Sequence, residues 1–146
     1  MIYLDYSANT PADPAVLDTF LKTEQTYIGN PNSVHPAGRR AYEKLMEATN
    51  SVAAVLDIDS AEIIYTSGAS EANNLAIKGI ARTQRHQGKH IISTSLEHPS
   101  VSGPLTYLQE QGYEIDLVNI GRDGIIDLEH FRELLRRDTI LVAVSA

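Results

Sequence analysis

Four short runs rich in β-branched residues predict β-strands along the chain. They occupy residues 62–66, 90–94, 113–118 and 139–144. The second and fourth runs are apolar at successive positions, which is typical of strands that are covered on both faces of a sheet. We therefore expect a sheet with helices on either side.

The segments between these runs have the spacing of amphipathic helices. Strands that alternate with helices predict right-handed crossovers and a mostly parallel sheet. The predicted fold class is thus α/β, a three-layer α/β/α arrangement. The apolar positions that carry the helical spacing are Leu75, Ala76 and Ile80, then Val101, Leu105 and Leu108, then Leu128, Phe131, Leu134 and Leu135.

The first third of the chain predicts two further helices. Asp13 followed by Pro14 is a helix-start signal, and a second helix is expected from near Gly38 to Leu56. The stretch 28–36 is too rich in Gly, Pro and Asn for regular structure. We expect residues 1–146 to form a single, incomplete domain in which residues 1–35 are an N-terminal arm, helix and loop.

Composition narrows the class of protein. The chain has 146 residues, of which 42% are hydrophobic and 21% charged. This is the amino-acid composition of an ordinary globular protein and the length of one domain. The absence of cysteine excludes disulfides, Cys-type zinc sites and a thiol nucleophile within this sequence.

Charge and hydropathy limit the partners. Lys and Arg total 12 against 19 Asp and Glu, a net charge of −7, and the basic residues are scattered, so we expect no nucleic-acid partner. No apolar run approaches the ~18 residues of a membrane span, and the N-terminus has no secretion-signal pattern. We expect no membrane association and a cytoplasmic location.

A candidate anion site follows the first predicted strand. The run from Thr66 to Glu71 leads into a helix, whose free N–H groups and dipole favour an anion. Gly68 permits a close backbone approach, and Ser67 and Ser70 add hydroxyl donors. The alternative is a plain strand-to-helix turn in which a serine only caps the helix.

His98 follows the next predicted strand, at the matching edge of the sheet. Its imidazole can stack on a planar ligand or move protons, or it can simply cap the following helix. His35 lies in the Gly/Pro/Asn loop, where it lines the same cleft or faces solvent. The remaining histidines show no metal-ligand spacing, so no metal site is predicted.

Five stretches taken together are far more specific than any one. They are residues 3–8, 29–35, 64–74, 96–98 and 124–128. In this order and spacing they resemble the cysteine desulfurases, pyridoxal-phosphate (PLP) enzymes of the class V aminotransferase group. The resemblance covers the whole chain but only the N-terminal portion of the family's length.

The resemblance implies part of the large domain of a fold-type I PLP enzyme. The intact enzyme would be a homodimer that takes sulfur from L-cysteine, leaves alanine, and passes an enzyme persulfide to sulfur acceptor proteins in iron–sulfur cluster assembly. By position, Gly68, Ala69 and Ser70 match the residues that hold the cofactor phosphate. His98 matches the histidine that stacks on the pyridine ring and shuttles protons.

The sequence departs from the family at several points. Ser70 stands where Thr is more familiar, which keeps the hydroxyl, and Asn9 stands where many relatives have Thr. Asn9 belongs to the expected substrate-side loop, whose residues are Ala8, Asn9, Thr10, Asn30 and His35.

The largest departure is what the resemblance places after residue 146: the Schiff-base lysine, the pyridinium aspartate, the persulfide cysteine and the substrate-binding arginine. We therefore expect this chain to be a truncated form that is inactive alone, holds no PLP covalently and associates with itself through exposed core. Two other interpretations stay open: a non-catalytic protein that binds a phosphate-bearing ligand or a partner, and a portion of a selenocysteine lyase or class V aminotransferase.

Overall fold

The structure is a computed structural model that describes residues 2–145. The chain divides between Ile64 and Tyr65 into two compact units. The first contains helices α1 (Pro14–Thr26) and α2 (Pro36–Leu56). The second contains, in chain order, α3 (Ala69–Gln84), β1 (His90–Thr94), α4 (Pro99–Glu110), β2 (Glu114–Val118), α5 (Leu128–Leu134) and β3 (Thr139–Ala143).

Helix starts in the first unit follow local chemistry. The carboxylate of Asp13 accepts a hydrogen bond from the Ala15 N–H at 2.7 Å, and Pro14 occupies the first helical position, as predicted. Helix α2 begins at Pro36, two residues before the predicted start, because the ring of His35 accepts a bond from the Gly38 N–H. A histidine can act as a cap in place of the more usual Ser or Asp.

The loop before α2 packs directly on that helix. A Cβ at Gly38 would collide with the carbonyl oxygens of Asn30 and Ser33. Asn30 in turn organises the loop, since its side chain accepts from the Asn32 N–H and its carbonyl accepts from the Ser33 N–H. Glycine at position 38 is thus required for the loop to lie against the helix.

The second unit contains a three-stranded parallel sheet of order β2-β1-β3. The connection from β1 to β2 and that from β2 to β3 cross the sheet in opposite directions. Right-handed crossovers therefore place α4 and α5 on opposite faces. The predicted α/β fold with a parallel sheet and helices on both sides is confirmed.

The core of the second unit lies between the sheet and the α3–α4 pair. Its centre is Ile91 on β1, which is completely buried. Helix α3 contributes Ile77 and Ala81, and α4 contributes Leu105 and Leu108. On α4 the predicted apolar positions Leu105 and Leu108 are the buried ones. On α3 the predicted face is wrong, because Leu75, Ala76 and Ile80 are exposed and the helix turns Ile77 and Ala81 toward the sheet.

A buried histidine joins all three strands at the start of β1. His90 is fully buried; its Nδ1 lies 2.7 Å from Oγ1 of Thr139 on β3, and its Nε2 lies 3.1 Å from Oδ2 of Asp116 on β2. The Thr139 hydroxyl also accepts a bond from the Arg136 N–H. Burial of this ring is tolerated because both nitrogens have partners.

The prediction of a first strand at residues 62–66 is wrong. Ser60–Glu62 forms a 3₁₀ turn closed by a capping box between Asp59 and Glu62, and Ile63 to Thr66 joins no strand of the described sheet. Ile64 is 70% exposed. β-branched composition favours a strand only where a neighbouring strand is present to pair with it.

Within the described residues, no helix is long and apolar enough to cross a membrane.

The His90 network generates a stability prediction. Thr139→Val keeps the shape of the side chain but leaves Nδ1 of buried His90 and the Arg136 N–H without their partner. We expect the free energy of unfolding in urea to fall by about 1–3 kcal/mol. Thr83→Val is the matched control, because the Thr83 hydroxyl donates only to the Gly79 carbonyl on an exposed helix face. Equal losses in the two variants would show that the network contributes nothing special.

Candidate functional site

The N-terminus of α3 is open. Asp13, His35, His98 and Asp127 cap the other described helices with side-chain hydrogen bonds. At α3 the cap position is Gly68, which has no side chain to offer. The N–H groups of Ala69 and Ser70 find no acceptor in the described part of the chain, so two donors and the positive end of the helix dipole face outward.

Glu71 shapes the loop in front of this helix. Its Oε2 accepts from the Ser67 N–H at 2.7 Å and from the Ser67 hydroxyl at 2.8 Å. These two hydrogen bonds hold the pKa of the Glu71 carboxyl below its ordinary value of 4.5. The Ser67 hydroxyl, expected from the sequence to be a donor for an anion, is therefore committed to Glu71, which leaves Ser70 as the nearby hydroxyl.

His98 occupies the N-cap of α4. Its Nδ1 accepts from the Ser100 N–H at 3.1 Å, and Pro99 fills the first helical position. The ring is solvent-exposed, and within residues 2–145 only Nδ1 is engaged by a hydrogen bond. His98 therefore does cap the following helix, and its Nε2 remains available to a ligand.

One hydrogen bond ties the first turns of α3 and α4 together. Nδ2 of Asn73 donates to Oγ of Ser100 at 2.9 Å, and that oxygen lies 2.9 Å from Nδ1 of His98. Asn73 is one helical turn from Ala69. The structure therefore brings the uncapped N-terminus of α3 and the His98 imidazole to the same edge of the sheet. This edge lies beyond the carboxyl end of β1, where α/β proteins bind ligands.

Glu97 closes the neighbouring side of this edge. Its carboxylate accepts from the Thr94 hydroxyl at 2.7 Å and from the Ser145 hydroxyl at 2.6 Å and N–H at 3.1 Å. Partial burial raises the pKa of Glu97, but the bonds from Ser145 and Thr94 outweigh it, so the net shift is downward. The loop after β1 is thereby joined to the segment after β3.

A cavity of about 270 Å³ opens beside this junction. Asn73 and Glu97 give it a polar side, and apolar side chains of α3, α4 and the end of β3 form the rest. The lining residues are Asn73, Ile77, Glu97, Val101, Val142, Ala143, Val144 and Ser145.

The expected substrate-side residues all belong to the first unit. Ala8 and Asn9 close a turn by donating their N–H groups to the Asp5 carbonyl, and Asn9 and Thr10 are exposed. His35 uses Nδ1 to cap α2. The grouping of these residues with the second-unit site remains a prediction.

Comparison with known proteins now decides the family. The model of the family described as aminotransferase class-V matches residues 2–146. The chain belongs to the class-V aminotransferase family. Among curated relatives, cysteine desulfurase IscS 1 of Archaeoglobus fulgidus is 40% identical over 145 residues, which cover 99% of this chain and 38% of the relative. The mitochondrial cysteine desulfurase of Candida albicans is also 40% identical, over 99% of this chain and 30% of the relative.

Solved structures agree with this assignment. A NifS-like protein superposes with a TM-score of 0.88 at 34% identity, covering 94% of this chain and 38% of that one. A structure described as SspA in complex with cysteine gives a TM-score of 0.86 at 31% identity, with 97% and 41% covered. The fold and the resemblance predicted from the sequence are confirmed, and this class-V aminotransferase chain spans less than half the length of these proteins.

Two residues that organise the site were not identified from the sequence. Asn73 lies in the stretch 64–74 and Ser100 lies outside all five stretches, and no local sequence pattern marks either residue. They are 27 residues apart and meet only through the packing of α3 on α4. Glu71 did carry a local signal, because a glutamate in the first turn of a helix often reaches back to an N–H that precedes it.

The lowered pKa of Glu71 predicts a pH dependence at the start of α3. Because the folded state lowers this pKa, its contribution favours folding above the ordinary value of 4.5 and is lost as the pH falls through the lower folded value. We expect the amide resonance of Ser67 to report that titration with a midpoint below 4.5.

Glu71→Gln should abolish the Ser67 transition while leaving the rest of the amide spectrum in place. An unchanged Ser67 titration in this variant, or a midpoint at or above the ordinary value, would contradict the assigned contact.

Proposed function

We propose that this chain forms the phosphate-binding and ring-stacking portion of the PLP site of a cysteine desulfurase. The observation that carries the proposal is the uncapped N-terminus of α3, joined through Asn73 and Ser100 to an exposed histidine on α4. An anion subsite and an imidazole at one edge suit a ligand that combines a phosphate with a flat heterocycle. The similarity to cysteine desulfurases supports this choice of ligand.

The donor set fits a phosphate group. The N–H groups of Ala69 and Ser70 and the Ser70 hydroxyl would hold it, assisted by the helix dipole. No Cβ crowds the approach at Gly68, because nothing lies within 4 Å of the position that a Cβ would take. When bound, PLP supplies the electron sink that makes bonds to the substrate's α-carbon labile.

His98 would meet the cofactor ring. Its cap bond fixes the imidazole relative to α4, and His98 is an exposed residue whose Nε2 makes no hydrogen bond within residues 2–145, so we expect stacking to require no change in the helix. As the proton shuttle expected from the resemblance, it would exchange protons at Nε2.

The finer parts of the function are proposals for the intact protein. We propose L-cysteine as substrate, alanine as product and a persulfide that sulfur acceptor proteins receive in iron–sulfur cluster assembly, in a homodimer located in the cytoplasm. Residues 1–146 would be one continuous portion of the large domain, which the unbroken family match supports. Ala8, Asn9, Thr10, Asn30 and His35 would lie on the substrate side.

We propose that this chain is inactive alone and does not hold PLP covalently. Three of its four lysines have other partners: Lys44 pairs with Glu47, and Lys78 and Lys89 lie over the rings of Tyr107 and Tyr113. Lys22 lies on α1, away from the open end of α3 in sequence. Reading the gene beyond codon 146 tests the parent activity, since a lysine in a Ser-x-His-Lys context and a later cysteine loop are expected there for a desulfurase.

The phosphate subsite predicts a specific response to substitution. Titration with inorganic phosphate or PLP should move the amide resonances of Gly68 to Glu71, and pyridoxal, which lacks the phosphate, should not. Ala69→Pro removes one donor N–H at a helix position where proline is tolerated. We expect its phosphate affinity to fall by about ten- to a hundredfold, the effect of one hydrogen bond to a charged group.

Ser102→Ala, an exposed position on α4, is the control and should bind phosphate as the parent chain does. Borohydride reduction of the PLP samples followed by peptide mass mapping is expected to find no stoichiometrically labelled lysine. No amide response at Gly68 to Glu71 at high phosphate would count against the cofactor assignment, as would equal responses to PLP and pyridoxal.

Exposed apolar side chains predict self-association. Helix α1 buries none of its residues, and Phe20 is 61% exposed. Exposed Val16 and Leu17 lie one helical turn before Phe20, and contiguous apolar surface of this kind is uncommon on monomers. Phe20→Glu should therefore shift the sedimentation of the purified chain toward monomer, whereas Gln25→Glu, which adds the same charge at another exposed α1 position, should not. A single monomeric species of the parent chain at all concentrations would refute this expectation.

A further inference from the structure

We infer that Asn73 and Ser100 are positioning residues that fix the proton of the neutral His98 imidazole on Nε2. The inference deepens the proposed function and rests on it for the identity of the ligand that meets the ring. The hydrogen bonds that carry it belong to the chain itself.

The polarity of the network follows from donors and acceptors. The Asn73 amide nitrogen can only donate, so the Ser100 oxygen accepts at 2.9 Å. The Ser100 hydroxyl hydrogen is then directed to its other neighbour, Nδ1 of His98, at 2.9 Å. Nδ1 therefore accepts two bonds, one from the Ser100 hydroxyl and one from the Ser100 N–H at 3.1 Å.

A ring nitrogen that accepts hydrogen bonds carries no proton of its own in the neutral imidazole, so the proton lies on Nε2. We call the hydrogen bonds from Asn73 to Ser100 and from Ser100 to His98 the relay. Its inner residues are shielded from water, since Ser100 is only 6% exposed and Asn73 is half-buried. The nearest carboxylate in sequence, Glu97, is occupied by Thr94 and Ser145. Water thus reaches the ring at the Nε2 edge, whereas Nδ1 faces the helix.

The tautomer decides whether the exposed Nε2 of His98 donates or accepts a hydrogen bond. In the resting neutral ring, Nε2 presents an N–H donor to any ligand atom that carries a lone pair. Removing the relay would let the proton spend more time on Nδ1 and would turn Nε2 into an acceptor. Asn73, which is connected to the His98 ring through Ser100, would then set the hydrogen-bonding character of a group on another helix.

The chain contains its own reference for this idea. His35 also caps a helix through Nδ1, at 3.1 Å from the Gly38 N–H, but no hydroxyl among residues 2–145 adds a second bond there. Both rings are followed by proline at the first helical position. A comparison of His35 with His98 in one sample therefore isolates the Asn73–Ser100 contribution from the capping bond.

The test is ¹⁵N NMR of the histidine rings in the 146-residue chain, without cofactor, at a pH of about 9, where imidazoles are neutral. We expect the His98 Nδ1 and Nε2 resonances to show almost exclusively the Nε2–H tautomer. In Ser100→Ala the ratio of the two tautomers should fall by about two- to tenfold, the effect of one lost hydrogen bond. Ser100→Thr keeps the hydroxyl and should restore the parent ratio.

Asn73→Asp is the sharper variant, because it is nearly isosteric and reverses the polarity. A carboxylate at this position accepts from Ser100, which draws the hydroxyl hydrogen away from His98, so the ratio should fall as it does in Ser100→Ala. Asn74→Asp introduces the same charge one residue away, at a side chain that donates to the Ser70 carbonyl, and should leave the His98 ratio unchanged. His35 should be unchanged in every variant.

An unchanged His98 ratio in Ser100→Ala or in Asn73→Asp would overturn the inference, as would a fall of equal size in Asn74→Asp. These outcomes are separate from the fate of the proposed function, which is decided by the phosphate and PLP titrations at Gly68 to Glu71. If the variants change the His98 tautomer ratio as expected but phosphate and PLP cause no shifts at Gly68 to Glu71, the tautomer assignment stands and PLP is ruled out as the ligand.

Discussion

Burial of the central strand β1 is the constraint on which the second unit depends. Its five residues are all buried, and strands β2 and β3 pair with it on either side. Ile91 faces the α3–α4 layer, while His90 anchors both neighbours through its ring nitrogens. Because the strand is paired along its whole length, the position of its carboxyl end is fixed. The short loop that follows therefore holds Glu97 and His98 in defined positions.

The site itself is made of ordinary helix ends used in different ways. At α4 the cap is a histidine, so a group with useful chemistry is also a structural element and cannot be moved without loosening the helix. At α3 the cap is glycine, and the donors are left for a ligand. The contrast between a closed and an open helix end, linked by the Asn73–Ser100 bond, is what distinguishes this edge of the sheet as a candidate site.

Local signals in the sequence predicted local structure well. Asp13-Pro14 marked the start of α1, and the alternation of strand and helix patterns predicted the parallel sheet. The run 62–66 had the composition of a strand, but whether such a run becomes one depends on a partner strand, which composition does not report. The role of Ser100 was hidden for a similar reason: its partner Asn73 is distant in sequence, and only the packing of two helices brings them together.

The position of β1 in the chain has a consequence for the order of events during synthesis. The middle strand of the sheet is synthesised first. The hydrogen bond between His90 and Thr139 can form only after Thr139, 49 residues later in the chain, has been made. At translation rates of roughly 5–20 residues per second, this interval is about 2–10 seconds. Until β3 is made, Ile91 and Ile92 belong to a nascent strand with at least one edge unpaired, so the most buried part of the native sheet is the part that stays exposed while synthesis continues.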